Sequence, residues 1–261
     1  MAYGLDAIDW AQPWLEPWRA LGQQGAQSVL NGHSCADALN LLAASTGFDV
    51  VKFVNQSELP QGRAYEAFIY STRQVPTRNG LHDFFNGLCW LHFPNTKQRL
   101  NRLQAEHIQQ QGGALERGAV RDALTLFDEN VALLQAPDAL WHALETKDWV
   151  QLFDTLRPLW SQARPVLFGH ALLEKLVQPR KAITAHVVRI PQGLTELRDM
   201  DRWLAADVTL QKLSTKLFAH LPVLGVPGWC DENKIPNFYD DKNVFRLPKN
   251  RILDVRFYEK S

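Results

Sequence analysis

Residues 75–101 read VPTRNGLHDFFNGLCWLHFPNTKQRLN, and the rest of the chain is organised around this stretch. Val75-Pro76 interrupts regular structure, because proline pushes the residue before it out of the helical region. Leu81 to His92 is almost wholly apolar. On a helix, Leu81, Phe84, Phe85, Leu88 and Leu91 share one face at helical spacing, which predicts a packed helix. His82, Asp83 and Asn86 fall on the other side, with His82 and Asn86 one turn apart. That second face continues into Cys89, Trp90 and Phe93, which do not seek water. The polar trio must therefore look into protein or a cleft. A polar group buried without a partner costs roughly 1–3 kcal/mol, so partners are required. Thr77, Arg78, Lys97 and Asn101 are the nearest candidates. Pro94 and Asn95 punctuate the chain, and Lys97 to Gln110 follows as an amphipathic helix with Leu100, Leu103 and Ile108 in its stripe.

Outward from this centre the pattern is mixed. Ser34 is placed to cap a helix over residues 36–45, which Gly47 closes. Residues 50–54 and 64–72 read as strands, the second with Tyr65, Ala67 and Ile69 on one face. Residues 123–134 read as a β-hairpin turning at Asp128-Glu129-Asn130, with a continuous helix as the runner-up. Pro137 opens a run of short helices to about Trp160. Residues 166–168 and 183–190 are further strand candidates, 171–177 a helix, and 195–218 the longest helix. After Leu221 the chain is irregular. Its aromatics predict that it wraps the body of the molecule, with Trp229 and Phe245 buried. The expectation is a helix-rich α+β fold, one compact domain over residues 1–261, with a small sheet flanked by helices.

Composition narrows the function classes. In 261 residues, 28 basic side chains balance 28 acidic ones, which argues against a whole-surface nucleic-acid binder. The 3 cysteines, Cys35, Cys89 and Cys230, lie far apart with no CxxC pair, so neither a disulfide framework nor a cysteine zinc site is expected. No run approaches the ~18 apolar residues of a membrane span. The first residues lack a basic and then apolar leader, so the expected compartment is the cytoplasm. Phosphate-loop, dinucleotide-loop, nucleophile-elbow and HExxH patterns are absent.

Two more polar groupings could carry chemistry. Arg121, Asp122, Thr125, Asp128, Glu129 and Asn130 gather near the expected hairpin. His170 and Glu174 stand one helical turn apart, a spacing that suits a metal or an acid–base pair. His and carboxylate side chains are the usual ligands of hydrolytic metal sites.

Several blocks stand in order: Tyr65-Glu66-Ala67, Val75-Pro76-Thr77-Arg78, Leu81-His82-Asp83-Phe84-Phe85-Asn86, Trp90, Phe93-Pro94, Lys97 and Leu100-Asn101. Leu124 to Asn130, Leu221 to Trp229 and Phe238-Tyr239-Asp240-Asp241 complete the series. With these blocks the sequence resembles a family of bacterial proteins catalogued as DUF3025. The resemblance covers most of the chain and implies no reaction. At Val131 a glycine would be expected after Asp-Glu-Asn, and valine there disfavours a positive-φ turn.

Two functions follow. The first is a metal-dependent hydrolase acting on a phosphoester or other small anionic substrate. His82, Asp83 and Asn86 would be catalytic, Asp83, Asp128 and Glu129 would hold a divalent metal, and Arg78, Lys97 and Asn101 would bind substrate. The second is a non-catalytic binding or scaffold protein whose polar clusters are structural and whose partner is another protein. Both readings turn on whether the trio on the 81–92 helix meets the carboxylates at Asp128.

Overall fold

A computed structural model describes residues 2–110, 118–214 and 218–248. In chain order its regular elements are α1 (Arg19–Leu30), α2 (Cys35–Thr46), β1 (Lys52–Asn55), α3 (Tyr65–Thr72), β2 (Gln74–Thr77), α4 (Leu81–His92), α5 (Pro94–Gln110) and α6 (Ala119–Asn130). They continue with β3 (Val131–Gln135), α7 (Asp138–Glu145), β4 (Arg164–Leu167), α8 (His170–Lys175), β5 (Thr184–Arg189), α9 (Leu197–Asp207), α10 (Leu210–Ser214) and β6 (Ala219–Pro222). The fold is helix-rich α+β. Its strands form a parallel pair, β1-β2, and a four-stranded sheet in the order β4-β3-β5-β6. The chain divides into two compact units: 1–131 with 167–178 and 193–217, and 132–166 with 179–192 and 218–261. Because the chain passes back and forth between them, no linker composition marks the division.

The first unit is helical and is centred on α4. Phe84, Phe85 and Leu88 are completely buried, and so is Cys89 on the opposite side. That burial explains why the helix is apolar nearly all round. It packs on α2 and α8, while α5 packs on α3 and α9, and α6 on α8 and α10. Ser34 caps α2 by accepting the main-chain N–H of Asp37 at 3.1 Å, and Gly47 ends that helix at φ 71°. The start of α5 is capped from a distance. Asp201, buried on α9, accepts the N–H groups of Asn95 and Thr96 at 3.0 and 2.7 Å. A carboxylate there satisfies orphan donors and suits the positive end of the helix.

The second unit is built on the four-stranded sheet, with β5 and β6 antiparallel and His186 opposite His220. Its irregular segment after Leu221 runs through short 3-10 turns. It is held by Asn233, whose side-chain N–H group donates to the carbonyls of Leu224 and Val226 at 2.8 and 2.7 Å. Tyr239 stacks on Phe153 with ring centroids 4.8 Å apart. Phe245 is buried as expected, Trp229 is only half-buried, and residues 249–250 lie outside those described.

Several sequence expectations need correction. Within residues 64–72, Tyr65–Thr72 form α3, not a strand. Tyr65, Phe68 and Ile69 have helical spacing, and the buried pair is Phe68 and Ile69. Pro76 does not end regular structure. It lies within β2, which tolerates a missing N–H because a two-stranded pair leaves one edge of each strand unpaired. The hairpin at 123–134 is instead α6 running directly into β3. Asp128 to Asn130 are the last turn of that helix, and Val131 is extended at φ −83° with no turn to make. The long helix at 195–218 is broken at Val208, which is extended, and its residues 215–217 lie outside those described.

Candidate active site

The N-terminal half of α4 positions three polar side chains for different partners. Asp83, in the first turn, accepts the main-chain N–H of Arg78 at 2.6 Å and its Nε and Nη2 at 3.1 and 3.0 Å. One carboxylate thus anchors the loop entering α4, and the bond lifts the Arg78 pKa above its ordinary value. Asn86, a turn later, accepts from Lys97 Nζ at 2.8 Å and donates to the Tyr65 hydroxyl at 3.3 Å. Thr77 donates to the carbonyl of Val75.

Lys97 is only 4% exposed along its side chain, and Asp128 answers it with both oxygens, at 2.5 and 2.7 Å. Burial alone would raise the Asp128 carboxyl, but Lys97 and then His170 hold it below the usual range. The opposite holds for Glu66 on α3. Burial, then repulsion by Asp128, raises its carboxyl, although Asn101 Nδ2 donates to it at 2.6 Å. Two neighbouring carboxyls are thus pushed apart in acidity, the arrangement by which proteins obtain one acid and one base from like groups.

His82 is held between two side chains of α8. Its Nδ1 lies 2.8 Å from Glu174 Oε2, and its Nε2 lies 3.2 Å from His170 Nε2. His170 Nδ1 is 3.7 Å from Asp128 Oδ2, too long for a full hydrogen bond, and the ring also meets the main-chain carbonyl of Asp128. Burial lowers the His170 pKa to about 4 despite the neighbouring Asp128. Close approach of α8 to the end of α6 depends on Gly169. A Cβ there would lie 2.3 Å from the carbonyl oxygen of Glu129. His82, His170 and Asp128 line a cavity of about 360 Å³, together with Arg121, Thr125 and Glu129.

The expected convergence of α4 with Asp128 is present, but the partners are cations. Lys97 joins Asn86 to Asp128, and Arg78 closes on Asp83. The expected metal set of Asp83, Asp128 and Glu129 is not assembled as one. Among the described residues no group of three or more His, Cys, Asp or Glu side chains is placed to hold a metal ion. Of the expected substrate-binding residues, Lys97 spends its protons on Asn86 and Asp128, and Asn101 serves Glu66. The side chain of Arg78 remains 65% exposed at the cavity. Asn130 accepts from Lys175 outside this network.

Sequence reasoning saw the His170–Glu174 spacing without connecting it to His82, 88 residues away. It missed Glu66 because α3 was read as a strand. On a helix, Glu66 and Asn101 could have been sought on facing elements.

The model of one protein family, described as a protein of unknown function, matches residues 51–249. The chain belongs to the DUF3025 family. The matched region of this DUF3025 protein contains every residue of the cavity described above. No curated protein and no solved structure matches the chain.

Proposed function

We propose that this DUF3025 protein is a hydrolase acting on a small anionic substrate, a phosphoester first among them. One observation carries the reading. His82 lines the cavity with the Glu174 carboxylate 2.8 Å from its Nδ1 and the His170 ring beside its Nε2. A carboxylate on Nδ1 fixes the tautomer and orientation of an imidazole and leaves Nε2 as its basic atom. His82 is the better placed to take a proton from an attacking water, being partly exposed and held by Glu174. Glu66, with its raised pKa, is suited to protonate a leaving group. Arg78, exposed on its outer side, supplies positive charge for the substrate anion.

The competing reading, a non-catalytic binding protein, is favoured by the closure of Asp83 on Arg78 and of Asp128 on Lys97, which are structural bonds. It requires ligands that bind the cavity without turnover. Purified protein should be screened against phosphomonoesters, phosphodiesters and carboxylic esters, with His82→Asn and Glu174→Gln as controls. Positioned acid–base groups contribute about 10²–10⁴ in rate, so His82→Asn should lower kcat by that factor. An activity that His82→Asn leaves at wild-type level refutes the assignment.

A further inference from the structure

The cavity-facing stripes of α5 and α6 answer each other at one end and not at the other. Lys97, near the start of α5, meets Asp128, near the end of α6, and the two helices pack on each other, so they run antiparallel. Gln104 stands seven residues after Lys97 on α5, and Arg121 seven residues before Asp128 on α6. Seven residues are about two turns, so each stays on its helix's cavity face, and the two lie level with each other. Both line the cavity, as does Thr125 one turn after Arg121. At about 1.5 Å of rise per residue, this level lies ~10 Å along the helices from the Lys97–Asp128 contact.

The level of Lys97 is closed on Asp128 and Asn86, and Asn101 is closed on Glu66. The level of Gln104 is open. Gln104 is only 7% exposed, yet its amide forms no hydrogen bond among the described residues. A buried amide is costly unless something in the cavity answers it. The Arg121 guanidinium likewise forms no hydrogen bond or ion pair among the described residues, and the Thr125 hydroxyl forms no hydrogen bond. Glu66 feels the charge of Arg121, but Asn101 holds its Oε2 and burial favours its neutral form. Glu129 belongs to the Asp128 level, ~12 Å along α6 from Arg121, and does not neutralise it.

We propose that Arg121, Gln104 and Thr125 bind a second oxyanionic group of the substrate, a phosphate or a carboxylate, two helical turns from the Asp128 level where His170 meets His82. A guanidinium takes either group through two parallel N–H bonds, and the amide and hydroxyl add neutral donors. The inference rests on the proposed function in placing the reacting centre at His82. It names the substrate class: a small molecule with two separated anionic groups, one beside Arg78 and one at Arg121. Binding a remote group is also a means of positioning the bond that reacts.

The test is calorimetric titration of the full chain with inorganic phosphate and with straight-chain α,ω-bisphosphonates and α,ω-dicarboxylates of increasing length. None of these probes needs to be turned over. A member long enough to reach both levels should bind more tightly than inorganic phosphate, and the tighter series tells phosphate from carboxylate. Charge-assisted hydrogen bonds are strong enough that Arg121→Gln should weaken that probe by roughly 10–100-fold. Arg121→Lys, which keeps the charge without the fork, should recover only part of the loss, and Gln104→Leu should weaken binding by less than Arg121→Gln. Arg121 is half-buried, and circular dichroism checks that its variants fold. Equal affinity of Arg121→Gln and wild type for every probe overturns the proposal, and so does a pair of series that binds no more tightly than phosphate. Arg121-dependent binding without turnover of any ester sinks the hydrolase reading alone. Turnover that needs His82 but keeps its KM and kcat in Arg121→Gln sinks the second anion site alone.

Discussion

Replacing Lys97 by Met tests the most tightly closed contact in the cavity. Both partners are removed from water, with Lys97 4% and Asp128 12% exposed along their side chains. Both carboxylate oxygens lie within 2.7 Å of Nζ, and Asn86 takes a further ammonium proton at 2.8 Å. Two unit charges about 4 Å apart attract by about 4 kcal/mol at an effective dielectric of 20. Breaking a buried pair by deleting one member typically costs 3–5 kcal/mol, because the survivor stays buried and uncompensated. Lys97→Met should therefore lose about 3–5 kcal/mol, a large share of the 5–15 kcal/mol a domain has. Asp128→Asn strands the ammonium instead and should also be costly. The double variant Lys97→Met/Asp128→Asn removes both charges. It should be more stable than the sum of the single losses implies, by about 2 kcal/mol or more. Urea unfolding read by tryptophan fluorescence and by circular dichroism supplies all corners of the cycle. A coupling energy below about 0.5 kcal/mol, as for exposed ion pairs, would show the pair to be solvated and refute this reasoning.

Gly169→Ala should cost about 1–3 kcal/mol by overpacking against the backbone at Glu129, where no flexible side chain can yield. An unchanged Tm would contradict the close approach. Asp83→Asn loses charge-assisted bonds to Arg78 and should lower stability by about 1.5–3 kcal/mol in a chemical-denaturation curve. His92, packed edge-on against Trp18, has its pKa lowered by burial from 6.5 to about 4. The unfolded chain then binds the extra proton first. The His92 contribution is thus present above pH 6.5 and is lost as pH falls towards 4, by at most ~3 kcal/mol. Stability against pH should be flatter in His92→Phe than in the wild type over that window, and parallel curves would contradict the burial. Glu66→Gln should abolish the high-pH fall of any hydrolytic activity found, since the acid form of Glu66 is lost as pH rises. A retained basic limb in the kcat profile would remove Glu66 from the mechanism.

Where one local signal dominated, the sequence was legible. The caps at Ser34 and Gly47, the apolar face of α4 and the β-branched runs at β1 and β5 owe their structure to neighbours within a few residues. The resemblance of the blocks from Tyr65 to Asp241 to DUF3025 was also readable, because it depends on residue order alone. Where two periods fitted the same short segment, tertiary contact decided. Residues 65–72 satisfy alternation and helical spacing alike, and the burial of Phe68 and Ile69 together selects the helix. At Asp128 the chain did not need a turn, because α6 could pass straight into a strand whose five residues are all buried. The polar partners were the least legible. The sequence alone required that Asp83, Asn86 and His82 find partners, since α4 is apolar around them. Arg78 and Lys97, near in sequence, were legible candidates and are the partners of Asp83 and Asn86. The sequence could not say that Asp128 would close on Lys97 or that the α8 pair would meet His82. Hydrogen bonds and charge pairs act over about 3 Å in space, and residues 31 to 92 positions apart meet here only once the helices have packed.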